Sequence, residues 1–303
     1  MSTERPSRPP RLDPLEVRRL LKREGLRASH ARSQNFLADP DVLQGILDLA
    51  EAGPGSRVLE IGPGLGILTG GLLDAGADVT AVELDPSLVA YLHARFAEPT
   101  AEGRLRLIEG DALDQELPAL VPPPYRVVAN LPYHITSPIL HRLLERAPRP
   151  ERLVLMVQAE VAERIAAAPG RMSYLSVFVQ YHASVRVALA VPPEAFEPAP
   201  KVSSAVIVLE PHGSAALSPA LEPWLWGLVQ SGFRERRKML RNVLARQLRT
   251  GEDGATGQLV GQAAVDSALA EAGIAGDRRP QTLSVDDWLR LLRTLGRDVA
   301  AAR

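Results

Sequence analysis

The chain has 303 residues, of which 46% are hydrophobic, and a formal net charge of -1, a size that suits one large domain or a medium domain with a smaller appendage. The lack of cysteine excludes disulfides, thiolate catalysis and cysteine-based zinc sites, and the six histidines show no metal-ligand spacing, so we expect no metal. Because no apolar run is long enough to cross a bilayer and the amino terminus lacks the apolar centre of a signal peptide, we expect a cytoplasmic protein without membrane contact.

Residues 1–30 are predicted to form a basic N-terminal extension. They carry eight Lys or Arg against four Asp or Glu, together with four prolines. The prolines near the start indicate that part of the extension is disordered. Asp13 then marks the beginning of a short helix, which Gly25 ends.

Apolar strands alternate with helical segments from about residue 57 onward. Such alternation is typical of an α/β fold, with a mostly parallel, Rossmann-like sheet and helices on both faces. Two further apolar runs, 175–191 and 203–210, indicate antiparallel strands at one edge of the sheet. We predict that this α/β domain covers residues 31–212.

The pattern changes after Pro211. A linker rich in small residues, "GSAALSPALEP", leads into helical segments that are separated by "RTGEDGATG" and "AGIAGDRRP". The sequence therefore predicts a small all-helical domain over residues 213–303.

The first candidate for ligand binding is the turn "LEIGPGLGILT". It places Glu60 and the glycines Gly62, Gly64 and Gly66 between a strand and a helix, where an open α/β sheet binds its ligands. Glycines there let the backbone approach a ligand closely. A dinucleotide-binding fingerprint needs its third glycine where Ile67 stands, so a bound pyrophosphate is disfavoured. A plain strand–helix turn remains the alternative.

Two carboxylates follow at the ends of the next strands. Glu83 lies 21 residues after Gly62, where a carboxylate can accept hydrogen bonds from both hydroxyls of a ribose. Asp111, after the following strand, could accept from the amino group of an adenine. Each could instead have no role in binding: Glu83 could be a solvated acid on the surface, and Asp111 could be a turn-forming residue. Their order along the strand ends predicts a nucleoside ligand without pyrophosphate, and S-adenosylmethionine is the leading candidate.

The stretch "VVANLPYHITSPIL" ends a further strand on an amide, a proline and an aromatic ring. The Asn130 side chain and the backbone carbonyl near Leu131 and Pro132 are predicted to accept hydrogen bonds from an exocyclic adenine amine, which favours its pyramidal, nucleophilic form. The ring face of Tyr133 is predicted to stack on the flipped base, and its hydroxyl is then dispensable. No strong base is required, because methylation makes the amine proton acidic.

The same stretch has a structural interpretation. A strand can end there and a helix can begin with an N-cap at Thr136 or Ser137, since "SPIL" reads as a helix start. The two interpretations are compatible, because such a cap would fix the orientation of the amide and the ring.

Eight segments together resemble the small-subunit ribosomal RNA adenine N6,N6-dimethyltransferases, the KsgA/RsmA family. The resemblance runs from about Leu20 to the last helix. It implies an S-adenosylmethionine-dependent transfer of four methyl groups in all to two adjacent adenosines in a hairpin loop near the 3′ end of small-subunit rRNA. The segments are "SQNFL" (33–37), "EIGPGLGILT" (60–69), "VELD" (82–85), "GDAL" (110–113), "NLPYHITSPIL" (130–140), "VPPEAFEPAPKVSSAV" (191–206), "FRERRKMLRNVL" (233–244) and "RRPQTLSVDDW" (278–288).

The resemblance also implies site residues. The target base would be held by Asn130, Leu131, Pro132 and Tyr133. The cofactor would be contacted by Asn35, Leu37, Gly62, Glu83, Asp111 and Asn130.

The resemblance also implies a partner, which is small-subunit rRNA or the immature 30S subunit. Naked RNA and the partly assembled subunit are both left open as the substrate. We expect the protein to be a monomer.

One position departs from the family pattern. Ser33 stands where the family usually has Gly before "QNFL", and "SQNF" is closer to the large-subunit rRNA adenine methyltransferases that confer macrolide resistance. Those relatives usually carry "NIPY" in place of "NLPY". Ser33 therefore bears on the geometry over the cofactor, and the large-subunit enzyme is kept as an alternative.

RNA contact is predicted for a basic segment near the carboxyl end. "FRERRKMLRNVLARQLR" reads as one helix whose cations can neutralise phosphates, with further basic residues between Arg18 and Arg32. A solvated helix face is the alternative. The residues predicted to bind RNA are Arg234, Arg236, Arg237, Lys238 and Arg241.

Other classes of function remain open. The chain could be a ribosome assembly factor for which methylation is secondary. DNA adenine methyltransferases typically show "DPPY", and protein-glutamine methyltransferases typically show "NPPY". Both differ from this chain at Leu131, so both are weaker alternatives.

Overall fold

The computed structural model describes residues 13–28, 34–214, 216–251 and 256–301, with side chains up to residue 296. The chain forms two compact units: Met1–Ala162 with Val185–Pro211, and Glu163–Ser184 with His212–Arg303. The segment Glu163–Ser184 thus belongs to the same unit as the C-terminal residues. The predicted single boundary between residues 212 and 213 assigns this segment to the α/β domain instead. In the part of the chain so described, no helix is both long enough and apolar enough to span a bilayer.

The predicted N-terminal helix is confirmed. Helix α1 spans Pro14–Arg23, and Asp13 caps it by accepting a hydrogen bond from the backbone N–H of Glu16. The Glu16 side chain accepts from the backbone N–H of Asp13 in return, which completes a capping box. Gly25 follows the helix with φ of +66°, a conformation that glycine adopts without strain. Residues 1–12 and 29–33, including Ser33, lie outside the described residues.

The first unit is built on a seven-stranded sheet with the order β4-β3-β2-β5-β6-β9-β7. Strands β2 to β6 pair in parallel, and β9 pairs antiparallel to β6, as predicted for a strand at the edge region. A separate two-stranded sheet joins β1 to β8. The strands are β1 (Phe36–Leu37), β2 (Arg57–Ile61), β3 (Asp78–Glu83), β4 (Leu105–Glu109), β5 (Arg126–Asn130), β6 (Arg152–Gln158), β7 (Ala183–Val191), β8 (Phe196–Glu197) and β9 (Ser204–Pro211).

Helices cover both faces of this sheet. Side chains of successive strand residues point to opposite faces, and the residues 58–61 of β2 are all buried, so neither face of the central strand meets solvent. The predicted α/β class is therefore confirmed. The helices between the strands are α2 (Pro40–Ala50), α3 (Ile67–Asp74), α4 (Pro86–Arg95), α5 (Ala97–Ala101), α6 (Leu117–Leu120), α7 (Thr136–Glu145) and α8 (Ala159–Ile165).

The strand predicted over residues 175–191 is wrong in its first half. Tyr174–His182 is a helix, α9, and only Ala183–Val191 is a strand. Ser173 begins the helix, since its hydroxyl accepts from the backbone N–H of Ser176. Nearly every residue of α9 is buried, and a short helix buried on all sides has the same continuous apolar run as a buried strand.

The second unit is helical, as predicted for the C-terminal region. Its core surrounds the fully buried indole of Trp288. A Cβ on Gly232 would lie 2.5 Å from that ring, so glycine is what admits the indole here. The helices that follow α9 are α10 (Glu222–Phe233), α11 (Leu240–Gln247), α12 (Gln262–Glu271) and α13 (Val285–Ala301).

Candidate active site

A cavity in the first unit lies beyond the carboxyl ends of β2, β3 and β5. Parallel strands bring their carboxyl ends to one edge of the sheet, so motifs far apart in the chain meet there. The cavity is lined by all the residues that the sequence predicted for cofactor and target base, namely Asn35, Leu37, Gly62, Glu83, Asp111, Asn130, Leu131, Pro132 and Tyr133.

The glycine turn after β2 forms one wall of the cavity. Gly62 and Gly66 both have φ of +70°, which side chains disfavour. At Gly66 packing adds a second constraint, because a Cβ would lie 2.4 Å from the Phe96 ring. At Gly62 the nearest atoms would be 3.9 Å away, so backbone conformation alone explains that glycine.

Glu83 ends β3 and holds the glycine turn. Its Oε2 accepts from the backbone N–H of Gly64 at 3.1 Å, and its Oε1 accepts from that of Asp85 at 2.9 Å. Burial raises the pKa of Glu83, and these two hydrogen bonds oppose the rise. Each carboxylate oxygen has more than one lone pair, so the side chain can serve the turn and still accept from a ligand.

Glu60 lines the cavity as a buried acid with a raised pKa, a property that the glycine motif alone does not predict. The Thr69 hydroxyl donates to its Oε2 at 2.6 Å, and the side chain is 1% exposed. Burial is the largest influence and raises the pKa of Glu60 to about 8, with the nearby Glu83 carboxylate adding to the rise. Glu60 is therefore mostly protonated near neutral pH. The signal in the sequence is a single acid inside the apolar strand "RVLEI".

Asp111 follows β4 and fills a turn. Its Oδ1 accepts from the backbone N–H of Leu113 at 2.8 Å, so the turn-forming interpretation of this residue is confirmed. Among the residues that the structure describes, no partner is found for Oδ2. Because Asp111 also lines the cavity, the turn fixes a carboxylate that retains acceptor capacity.

Asn130, the last residue of β5, is held in one orientation. Its Nδ2 donates to the backbone carbonyl of Asn35 at 3.1 Å. With the nitrogen committed to that carbonyl, Oδ1 is the amide atom left to accept a hydrogen bond. The following N–H, of Leu131, donates to the carbonyl of Met156 on β6 at 3.1 Å, so the chain leaves the sheet at a fixed point.

The segment that carries Asn35 is fixed from outside the cavity. Strand β1 pairs with β8 through Phe36 opposite Glu197. The Arg18 guanidinium of α1 binds the Glu197 carboxylate with two hydrogen bonds of 2.9 and 3.0 Å. The Asn35 carbonyl is thereby tied to two elements that do not line the cavity themselves.

Tyr133 begins a short 3₁₀ turn, Tyr133–Ile135. Its hydroxyl lies 3.0 Å from Oγ of Ser204, so the hydroxyl predicted to be dispensable has a hydrogen-bond partner. The predicted N-cap at Thr136 or Ser137 is wrong, since α7 begins at Thr136 with no side-chain cap. The Thr136 hydroxyl instead donates to the Tyr133 carbonyl at 3.3 Å, because the 3₁₀ turn occupies the place of the cap.

The predicted basic helix is wrong in its continuity. Helix α10 ends at Phe233, residues 234–238 form a turn, and α11 begins at Leu240. The break arises because the N–H of Leu240 donates to the carbonyl of Arg278 at 2.7 Å, while Met239 is extended. A continuous helix would direct that N–H to its own preceding turn.

The turn gathers exposed cations in the second unit. Arg236, Arg237 and Lys238 are exposed, and the described residues include no ion-pair partner for them. Arg234 differs, because its guanidinium donates to Gln247 at 2.9 Å. Arg241 is exposed at the start of α11. We call Arg236, Arg237 and Lys238 the basic turn.

Comparison with known proteins agrees with this geometry. The family model described as "Ribosomal RNA adenine dimethylase" matches residues 26–291. A protein of Thermosynechococcus vestitus named "Ribosomal RNA small subunit methyltransferase A" is 42% identical over 277 residues, which cover 89% of this chain and 97% of the relative. A protein of the same name from Geobacter sulfurreducens is 40% identical over 281 residues, covering 91% and 98%.

Solved structures show the same relationship. A dimethyladenosine transferase from Plasmodium falciparum superposes with a TM-score of 0.72 at 27% identity, over 86% of this chain and 98% of the other. The 23S rRNA methyltransferase ErmE superposes with a TM-score of 0.67 at 30% identity, over 86% of this chain and all of the other. From the family match, the relatives and the shared fold, we conclude that this chain belongs to the ribosomal RNA adenine dimethylase family.

Proposed function

We propose that this chain transfers methyl groups from S-adenosylmethionine to N6 of two adjacent adenosines in the 3′-terminal hairpin loop of small-subunit (16S) rRNA. Two methyl groups go to each adenosine. We also propose that it acts in the cytoplasm, as a monomer, on the immature 30S subunit. The choice of the small subunit is supported by relatives of that name at 40% and 42% identity, compared with 30% for ErmE.

S-adenosylmethionine supplies a methyl group carried on a sulfonium, and the cavity residues fit its other parts. The Glu83 carboxylate retains lone pairs for two ribose hydroxyls. Asp111 retains acceptor capacity for the adenine amino group. The turn at Gly62 presents backbone without a Cβ, so a ligand can approach it closely.

The observation that carries the proposal is the orientation of Asn130. Its nitrogen is bound to the Asn35 carbonyl, so Oδ1 is the atom that can accept from an adenine amine. An acceptor fixed in advance stabilises the transition state without reorganising. The half-buried ring of Tyr133, three residues further along the chain, offers a face on which a base can stack.

The basic turn supports the assignment of an RNA substrate. Exposed cations that have no ion-pair partner among the described residues can neutralise phosphates without breaking any of the described salt bridges, and phosphate neutralisation dominates affinity for nucleic acids. These three cations are adjacent on one exposed turn, whereas a continuous helix would distribute them around its axis.

Methyl transfer to purified, unmethylated small subunits tests the proposal. We expect mass spectrometry of the digested rRNA to show N6,N6-dimethyladenosine at two adjacent positions. Asn130→Ala should lower the single-turnover rate by roughly 100- to 1,000-fold, because it removes the preorganised acceptor. Asn130→Asp keeps an acceptor of similar shape and should retain more activity than Asn130→Ala.

Two measurements serve as controls. Affinity for the cofactor and for the subunit should be measured in both Asn130 variants, which separates a catalytic loss from a binding loss. Purified large subunits should be assayed in parallel, and methyl groups found on their rRNA but not on that of the small subunits would contradict the choice of substrate. An Asn130→Ala variant with full transferase activity would contradict the role of the amide.

A further inference from the structure

We propose that Ser204 is a positioning residue for methyl transfer, which holds the Tyr133 ring through its hydroxyl. The proposal rests on the function proposed above, and it assigns a role to a residue outside the cavity wall. Tyr133 itself lines the cavity, whereas Ser204 is the first residue of β9 and is not among the residues that line it.

The first support is the contact itself. The Tyr133 hydroxyl and Ser204 Oγ are 3.0 Å apart, and they are separated by 71 positions in the chain. Ser204 is 1% exposed. A buried hydroxyl needs a partner, because leaving it unsatisfied costs more free energy than the bond itself contributes. The phenol is the partner that the structure provides.

The second support is the rigidity of the site that carries Ser204. Ser204 is paired with Gln158 in the antiparallel ladder between β9 and β6. On its other side, β6 pairs with β5 through Met156 opposite Asn130. The strands that carry Ser204 and Asn130 are thus both paired to β6, so the hydrogen bond fixes the position of the ring relative to the amide within one sheet.

The third support is that the ring is held at both ends. The backbone of Tyr133 is fixed by the Thr136 hydroxyl, which donates to its carbonyl at 3.3 Å. The preceding residue is Pro132, whose ring fixes its own φ angle. The phenol end is fixed by Ser204. If only the backbone end were held, the Tyr133 side chain could rotate about χ1 and χ2, and the ring would no longer present a fixed face that orients a base.

A double-mutant cycle tests the proposal by single-turnover methyl transfer to unmethylated small subunits. Ser204→Ala and Tyr133→Phe should each lower the rate by about two- to tenfold, the range expected for losing one neutral hydrogen bond. The double variant should be no slower than either single variant, since both remove the same bond. Cofactor affinity should stay unchanged in all three.

Ser203→Ala is the matched control, because Ser203 is the adjacent, exposed serine; its rate should equal that of the wild type. Two outcomes would overturn the proposal. One is a Ser204→Ala rate equal to that of the wild type. The other is a double variant whose loss is the product of the single losses, which would mean that Ser204 acts independently of the phenol.

A second measurement does not depend on activity. The chain has five tyrosines, so tyrosine labelled with ¹³C at Cζ gives a simple spectrum, in which the Tyr133 signal is the one lost in Tyr133→Phe. The Cζ shift reports hydrogen bonding of the phenol and should change in Ser204→Ala but not in Ser203→Ala. An unchanged shift refutes the contact. A wild-type protein without methyl transfer refutes the proposed function alone, because the shift still tests the contact.

Discussion

Glu60→Gln should remove a pH dependence of stability from the first unit. The pKa of Glu60 is about 8 in the folded protein and 4.5 ordinarily. Between these values the folded state holds one more proton than the unfolded chain, so the stability contributed by the group is fully present below 4.5 and is lost as pH rises through 8. The loss is about 1.4 kcal/mol per pH unit, or roughly 3 kcal/mol between pH 5 and pH 7.5.

Glutamine removes the titration and keeps the local hydrogen bond. Its amide oxygen can accept from the Thr69 hydroxyl as the carboxyl does. The variant should therefore match the wild type near pH 5 and exceed it in the free energy of unfolding by roughly 3 kcal/mol at pH 7.5. Glu109→Gln, at an exposed position on β4, is the matched control and should leave the pH profile parallel to that of the wild type.

The assay must report the first unit. Trp224, Trp226 and Trp288 all lie in the second unit, so intrinsic fluorescence follows the wrong part of the chain. Urea unfolding at pH 5 to 8, read by pulsed hydrogen exchange of peptides that contain Arg57–Ile61, follows β2 itself. If Glu60→Gln and the wild type lose stability in parallel over this range, the titration of buried Glu60 does not cause the pH dependence, and the prediction is refuted.

Three further outcomes are expected. Glu83→Ala should weaken S-adenosylmethionine binding by calorimetry, since a hydrogen bond to a charged group contributes roughly 1.5–3 kcal/mol; unchanged affinity in a folded variant would contradict the ribose assignment. Neutralising Arg236, Arg237 and Lys238 together should reduce the slope of log affinity for rRNA against log salt by about 2–3, at roughly 0.7–0.9 per phosphate contact, and an unchanged slope would mean that the basic turn is only solvated. Tyr133→Ala should slow methyl transfer more than Tyr133→Phe, because stacking on a base is worth roughly 1–3 kcal/mol; equal rates in these two variants would contradict stacking.

The parts of the site that follow from local patterns are predictable from the sequence. Glu83 ends β3 and Asp111 follows the adjacent parallel strand β4, and that topology alone brings them to one edge. Helix α1 is equally local, because Asp13 and Glu16 form its capping box within four residues.

The remaining features depend on partners far away in the chain. The break before Leu240 requires the carbonyl of Arg278, and no pattern within "FRERRKMLRNVL" encodes it. The bond between Tyr133 and Ser204 requires β9 to lie beside β6. The helix at 174–182 could not be distinguished from a strand, because the burial of nearly all its residues removes the periodicity that separates the two.

The acceptor that orients Asn130 is a main-chain carbonyl, and this has a consequence for variation at position 35. Replacing the Asn35 side chain changes the cavity wall but leaves the orienting atom in place, since the pairing of Phe36 and Leu37 with β8 sets the path of the chain. The amide is thus insensitive to point substitution at its partner. It is sensitive to a shift in register, because a slip of one residue in that short pairing would present a different peptide unit to Asn130 and release its side chain to rotate.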